Sequence, residues 1–65
     1  MRHILNTADW VREHVGATLD CGGQHCELVV VVRHTAVLLS ADGQTKFMGV
    51  ERFRREWVAQ NYVGG

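Results

Sequence analysis

A chain of 65 residues with seven basic and seven acidic side chains is the length of one small domain and carries no formal net charge. Neutrality argues against a protein whose main task is to neutralise many phosphates, and equally against an acidic nucleic-acid mimic. The 46% hydrophobic content is that of a folded chain, but so short a domain buries only ~60% of the surface its unfolded form exposes, which leaves a disulfide, a metal or a partner subunit as natural supplements to its stability.

The first predicted element is a helix over "NTADWVREHVG". Asn6 or Thr7 serves as N-cap, Asp9 sits in the first turn, and Gly16 is the stop. Trp10, Val11, His14 and Val15 fall on one face of it, and its shortness makes it depend on tertiary packing.

A β-meander follows, with strands expected at about 17–21, 25–33, 36–41 and 44–50, because β-branched and aromatic residues dominate and turn signals recur at short intervals. The strongest signal is Asp42-Gly43 in "SADGQT". Read as a two-residue hairpin, it sets Ala41 opposite Gln44, Leu39 opposite Lys46, Leu38 opposite Phe47 and Val37 opposite Met48.

The stretch "CGGQHCELVVVVRH" gathers two cysteines and two histidines within fourteen residues. With Gly22-Gly23 as a two-residue turn, Leu19 faces Cys26, Cys21 lies diagonally beside Cys26, and His25 points the other way beside Asp20, so neither face holds a four-ligand zinc site. A four-residue "GGQH" loop instead pairs the two cysteines directly and permits a disulfide. C-x4-C with scattered histidines is a poor match to the paired spacing of structural zinc, and free structural thiols are the favoured reading, ahead of a disulfide and then a metal.

The strand itself is apolar on both sides, whereas a sheet with one wet face alternates. Carrying the registers across groups Val30, Val32, Val37, Leu39 and Met48 on one face, and Val29, Val31, Ala36, Leu38 and Phe47 on the other. Either one helix covers each face, or a curled sheet covers itself and leaves the remaining patch for a partner.

"GVERFRREWVAQNYVGG" closes the chain as a second helix, with Val50, Phe53, Trp57 and Val58 on its apolar side. Glu51–Arg55 and Arg52–Glu56 are i,i+4 ion pairs on its wet side, which favours a solvated amphipathic helix over a nucleic-acid footprint. Arg54 has no local counter-charge. Together with Arg33, Lys46, Arg52 and Arg55 it is a candidate for a modest basic patch.

The expected class is therefore α+β: a four-stranded antiparallel meander with an N-terminal and a C-terminal helix, in a single domain spanning residues 1–65. Residues 16–57, "VGATLDCGGQHCELVVVV" and "TAVLLSADGQTKFMGVERFRREW", resemble the small SH3-like barrels of short phage and plasmid proteins. There a glycine-bearing hairpin, a strand, a "DG" hairpin and a closing basic-aromatic helix follow in this order. The resemblance implies a binding module for protein or nucleic acid and carries over no catalytic residue. The N-terminal helix has no counterpart in that pattern, so an open sheet with one helix on each face fits the same elements as well as a closed barrel.

No Ser or Cys stands in a nucleophile setting, no carboxylates pair in an apolar stretch, and no glycine-rich phosphate loop runs from strand to helix. Buried strand cysteines are ordinarily small hydrophobes, and the expectation is a protein without enzymatic activity, cofactor, metal or small-molecule ligand. The run Leu28–Val32 is far short of the ~20 apolar residues that span a bilayer, and "MRHILNTADW" lacks a signal-peptide core, which points to a cytoplasmic protein. The favoured function is an adaptor or inhibitor binding a larger protein or a second copy of itself through Val29 and Val31 of the apolar strand. A nucleic-acid-binding regulator using Arg33, Lys46, Arg52, Arg54 and Arg55 is the alternative.

Overall fold

Asn6 opens the first helix by accepting the Asp9 backbone N–H on its Oδ1 at 2.8 Å, so the cap is Asn6 rather than Thr7. The computed structural model describes residues 6–62. The elements in chain order are α1 (Thr7–Arg12), β1 (Thr18–Cys21), β2 (Gln24–Val32), β3 (Thr35–Ser40), β4 (Thr45–Gly49) and α2 (Val50–Tyr62). α1 is shorter than the periodicity predicts. Its last turn tightens, His14 N–H bonding to the Val11 carbonyl, and Gly16 at φ 99° then turns the chain so that its N–H reaches the Leu28 carbonyl at 2.8 Å.

The strands form one antiparallel sheet in the order β1-β2-β3-β4. It is open. The closed barrel is not formed, and β1 and β4 are its two edges. Gly22 and Gly23, at φ 64° and 94°, make the two-residue turn between β1 and β2, and the pairs Leu19–Cys26 and Asp20–His25 are the ones the sequence predicts for that turn. The Asp20 carboxylate reinforces it by accepting the Gly23 N–H at 2.9 Å.

The β3–β4 hairpin departs by one residue from its expected register. Its loop has three residues, Ala41–Gly43, closed by Gly43 N–H to the Ser40 carbonyl at 3.0 Å and Ser40 N–H to the Gln44 carbonyl at 2.8 Å. Gly43, at φ 90°, takes the left-handed position that such a loop requires. The buried Ser40 hydroxyl pins the loop, donating to the Asp42 carboxylate and lying 3.2 Å from the Gln44 N–H. The Ser40 hydroxyl first, and second the Gln44 N–H, which donates to Asp42 Oδ1 at 3.2 Å, hold the Asp42 carboxyl below its ordinary pKa.

That slip reverses the faces of β4, since side chains alternate along a strand. Val37 pairs with Phe47 and Ala36 with Met48, so Met48 turns inward and Phe47 outward, the opposite of the expected grouping. A β-bulge between Leu28 and Val30 corrects the reading of β2 as well. Val29 and Val30 turn outward together, and Val31 joins Leu28 on the inner side.

Both helices pack on that inner side. Ala8 and Val11 of α1 and Val50 and Phe53 of α2 form one core with Leu19, Cys26, Leu28, Val31, Ala36 and Leu38 of the sheet. The expectation of one helix per face is thus not met: the second face has no cover within the described residues. The β1 edge is closed by a side chain of α2. The Gln60 carboxamide accepts the Asp20 N–H and donates to the Asp20 carbonyl, each at 2.9 Å, and so occupies the hydrogen-bonding positions a further strand would take.

Candidate functional site

The bare face is the most distinctive surface of the molecule. The cross-strand pairs Val30–Val37 and Val37–Phe47 put three apolar side chains in a row across β2, β3 and β4. Val29, Val32 and Leu39 flank them, all exposed. Phe47 projects furthest, at 71% exposure. Scattered exposed valines are ordinary on a protein surface, but this set is contiguous on one flat element and rimmed by Glu27, Thr35 and Thr45, the pattern of a contact surface.

Of the two strand valines named as partner-binding candidates, Val29 lies on this face, while Val31 is only 8% exposed beneath the helices and is withdrawn from it. The bulge separates them. Val30, Val32, Leu39 and Phe47 belong to the surface as well, and two features hid this: a bulge with no glycine or proline to mark it, and the one-residue slip of β4.

The five candidate cations are dispersed. Arg33 stands in the β2–β3 turn, and Lys46 and Arg52 border a groove that they share with Cys21, Met48 and Glu56. Arg54 and Arg55 lie beside Thr7, Glu51 and Val58. Arg52 Nε bonds Glu56 at 2.8 Å, as the i,i+4 spacing predicts. Glu51 and Arg55 do not pair, since the ion pairs among the described residues are Arg12–Asp9 and Arg52–Glu56. Arg54 finds an aromatic partner, its guanidinium lying 5.1 Å from the Trp10 ring.

Trp10 belongs to a cluster that joins the two helices. It stacks on His14 at 3.9 Å and 23°, and Trp57 meets both rings edge-on, at 5.6 and 4.8 Å. Tyr62 adds a further edge contact to Trp57 at 5.8 Å. The His14 Nδ1–H donates to the Trp10 carbonyl at 2.7 Å, which fixes the ring in the stack. These rings pack against each other and fill the interhelical space, so the cluster is a clamp that holds α1 on α2.

Cys21 and Cys26 are both free thiols, Cys26 buried in the core and Cys21 half-buried at its margin. Burial, followed by the neighbouring Cys26 thiol, pushes the Cys21 pKa up to about 11, the opposite of what a nucleophilic cysteine needs. Neither His14 nor His34 is placed to act as a base for Cys26: His14 is locked in the aromatic stack, and His34 is exposed in the turn beyond the far end of β2. Among the described residues no three His, Cys, Asp or Glu side chains converge as metal ligands, and no helix is long and apolar enough to cross a membrane. No family model, curated protein or solved structure matches the chain.

Proposed function

We propose that the chain is a non-catalytic binding module that acts by protein–protein contact through the bare face of its sheet. The contiguous row Val30, Val37 and Phe47, flanked by Val29, Val32 and Leu39, carries this reading. A few hundred Å² of apolar surface with an aromatic projecting from it is what an interface core looks like before its partner arrives. The resemblance of residues 16–57 to small SH3-like modules also implies a binding role. The free thiols of Cys21 and Cys26 accord with a reducing, cytoplasmic setting.

The nucleic-acid alternative draws less support. Its cations stand on separate parts of the surface, one is compensated by Glu56, and one rests on Trp10.

The test is affinity capture from cell lysate, with and without nuclease treatment, with the wild-type chain and with a Val30→Asp, Phe47→Asp double variant as baits. Capture of a discrete protein by the wild type alone is expected. Binding that vanishes on nuclease treatment, or that follows Arg54→Ala and Arg55→Ala instead, transfers the function to nucleic acid.

A further inference from the structure

We infer that the occupant of the bare face is a second copy of this chain, the two stacking sheet on sheet about a two-fold axis; this rests on the reading of that face as a docking surface. The charge distribution along β2 selects this partner. The Val30–Val37 pair lies mid-patch, with Glu27–Leu39 two β3 residues to one side, Val32–Thr35 two residues to the other, and Arg33 next in the turn. At ~3.4 Å per residue, Glu27 and Arg33 stand roughly 7–10 Å on opposite sides of the centre.

A two-fold axis through the Val30–Val37 pair, lying in the interface and crossing the strands, sets Val30 over its counterpart and Phe47 over its counterpart. The same operation brings Glu27 of each copy opposite Arg33 of the other. With the exposed Arg33 side chain turned toward this face, as the proposal requires, the face is complementary to itself in charge as well as apolarity, which is the requirement of an isologous contact. Among the described residues neither is spoken for. Both are exposed, and neither takes part in the ion pairs found among the described residues.

The backbone at Arg33 is a second, independent pointer. Its φ is 56°, and it is the one non-glycine residue with positive φ among those described. A turn shaped by folding alone favours glycine there. A strained residue at a turn tip points to a role for its side chain, and here that side chain is the cation the two-fold arrangement needs. Area agrees: Val29, Val30, Val32, Leu39 and Phe47 are 40–71% exposed, and with the polar rim they supply the centre of an interface of the ordinary ~800 Å² per partner.

The decisive experiment is sedimentation of the wild type, Glu27→Arg, Arg33→Glu and an equimolar mixture of the two variants, with circular dichroism to verify that each is folded. The wild type is expected to dimerise at tens of micromolar. Each single variant faces like charges at both symmetric contacts, and its dissociation constant should rise on the order of a hundredfold. The mixture should recover a dimer, because the introduced arginine then meets the introduced glutamate and the native pair is kept.

A wild type that stays monomeric at hundreds of micromolar, single variants that dimerise unchanged, or a mixture that stays monomeric overturns the proposal. A monomeric wild type that still captures a protein through Val30 and Phe47 removes the second copy and leaves the docking face standing. A dimer indifferent to Val30→Asp and Phe47→Asp removes the face itself.

Discussion

Phe53 and Phe47 are six positions apart and belong to opposite worlds: Phe53 is 0% exposed under the helices, and Phe47 is 71% exposed on the bare side of the sheet. The two faces they represent are built from the same residue types, Val, Leu and Phe. Composition alone does not tell them apart. A sheet destined to meet water on one side alternates apolar with polar residues, and β2 does not. The helices explain the asymmetry. α1 has six residues and α2 thirteen, and their mutual packing through Trp10, His14 and Trp57 keeps both on one side. Among the described residues there is enough helix to cover one face and enough apolar sequence for two.

The largest expected effect is on the covered face. Phe53→Ala removes a fully buried ring from the centre of the core and should cost about 3–5 kcal/mol, a large share of the stability such a domain possesses. Trp57→Ala should cost less, about 2 kcal/mol, because Trp57 is half-buried and its loss opens the interhelical clamp but leaves the sheet core packed. Urea midpoints of the two variants rank them. Equal losses would mean that the clamp and the core are one cooperative unit.

The contrast between the faces was only half legible in the sequence, for reasons that lie in particular residues. At the β1–β2 turn the sequence left a two-residue Gly22-Gly23 turn and a four-residue "GGQH" loop open, and the structure takes the first, with both glycines at the positive φ that such a turn requires. Asp42-Gly43 looks as strong a signal, but the Ser40 hydroxyl bonds Asp42 and faces the Gln44 N–H, so a three-residue loop wins. The resulting one-residue slip exchanges Phe47 with Met48. The bulge at Val29 lies within a run of four valines, which has no feature to mark one of them as extra. The choice of one side by both helices is set by contacts between Trp10 and Trp57, 47 positions apart, and no local pattern reports such a contact. The element order, the Phe53 anchor and the exposed arginines of α2, by contrast, follow from periodicity that tertiary packing has no cause to override.

Between the faces, at the turn that leads from β2 to β3, Arg33→Gly should raise stability by about 1 kcal/mol by relieving the left-handed backbone at φ 56°. The same change should weaken the proposed dimer, since it deletes the cation that meets Glu27. A thermal melt at low protein concentration reads the first effect and sedimentation the second. A turn that is not stabilised by glycine would show that the arginine side chain already compensates its strain within one copy.

The covered face should also respond to alkali. The Cys21 thiol titrates at about 11 in the folded chain against an ordinary value of 9.0, so the folded state holds its proton while the unfolded chain releases it. The corresponding stability is full below pH 9 and is lost as pH rises toward 11. Cys21→Ser should flatten that part of the pH profile. Alkylation of Cys21 at neutral pH should be slow in the folded protein and become fast on unfolding.

The smallest expected effect is the one that completes the comparison. Phe47→Thr replaces the most exposed aromatic of the sheet with another strand former, so the loss of local preference is slight and no core contact is broken. In dilute solution, where the chain is monomeric, the urea midpoint should shift by no more than about 0.5 kcal/mol of equivalent stability, the range of surface substitutions. The result should depend on concentration. Whatever covers the bare face binds the folded chain alone, so a dimer adds stability that grows with the logarithm of protein concentration. The wild type should therefore pull away from Phe47→Thr as concentration rises, while Phe53→Ala stays destabilised at every dilution. Two variants that remain parallel over a hundredfold range of concentration would leave the second face without a second copy, whereas divergence would locate at Phe47 the cover that the helices do not supply.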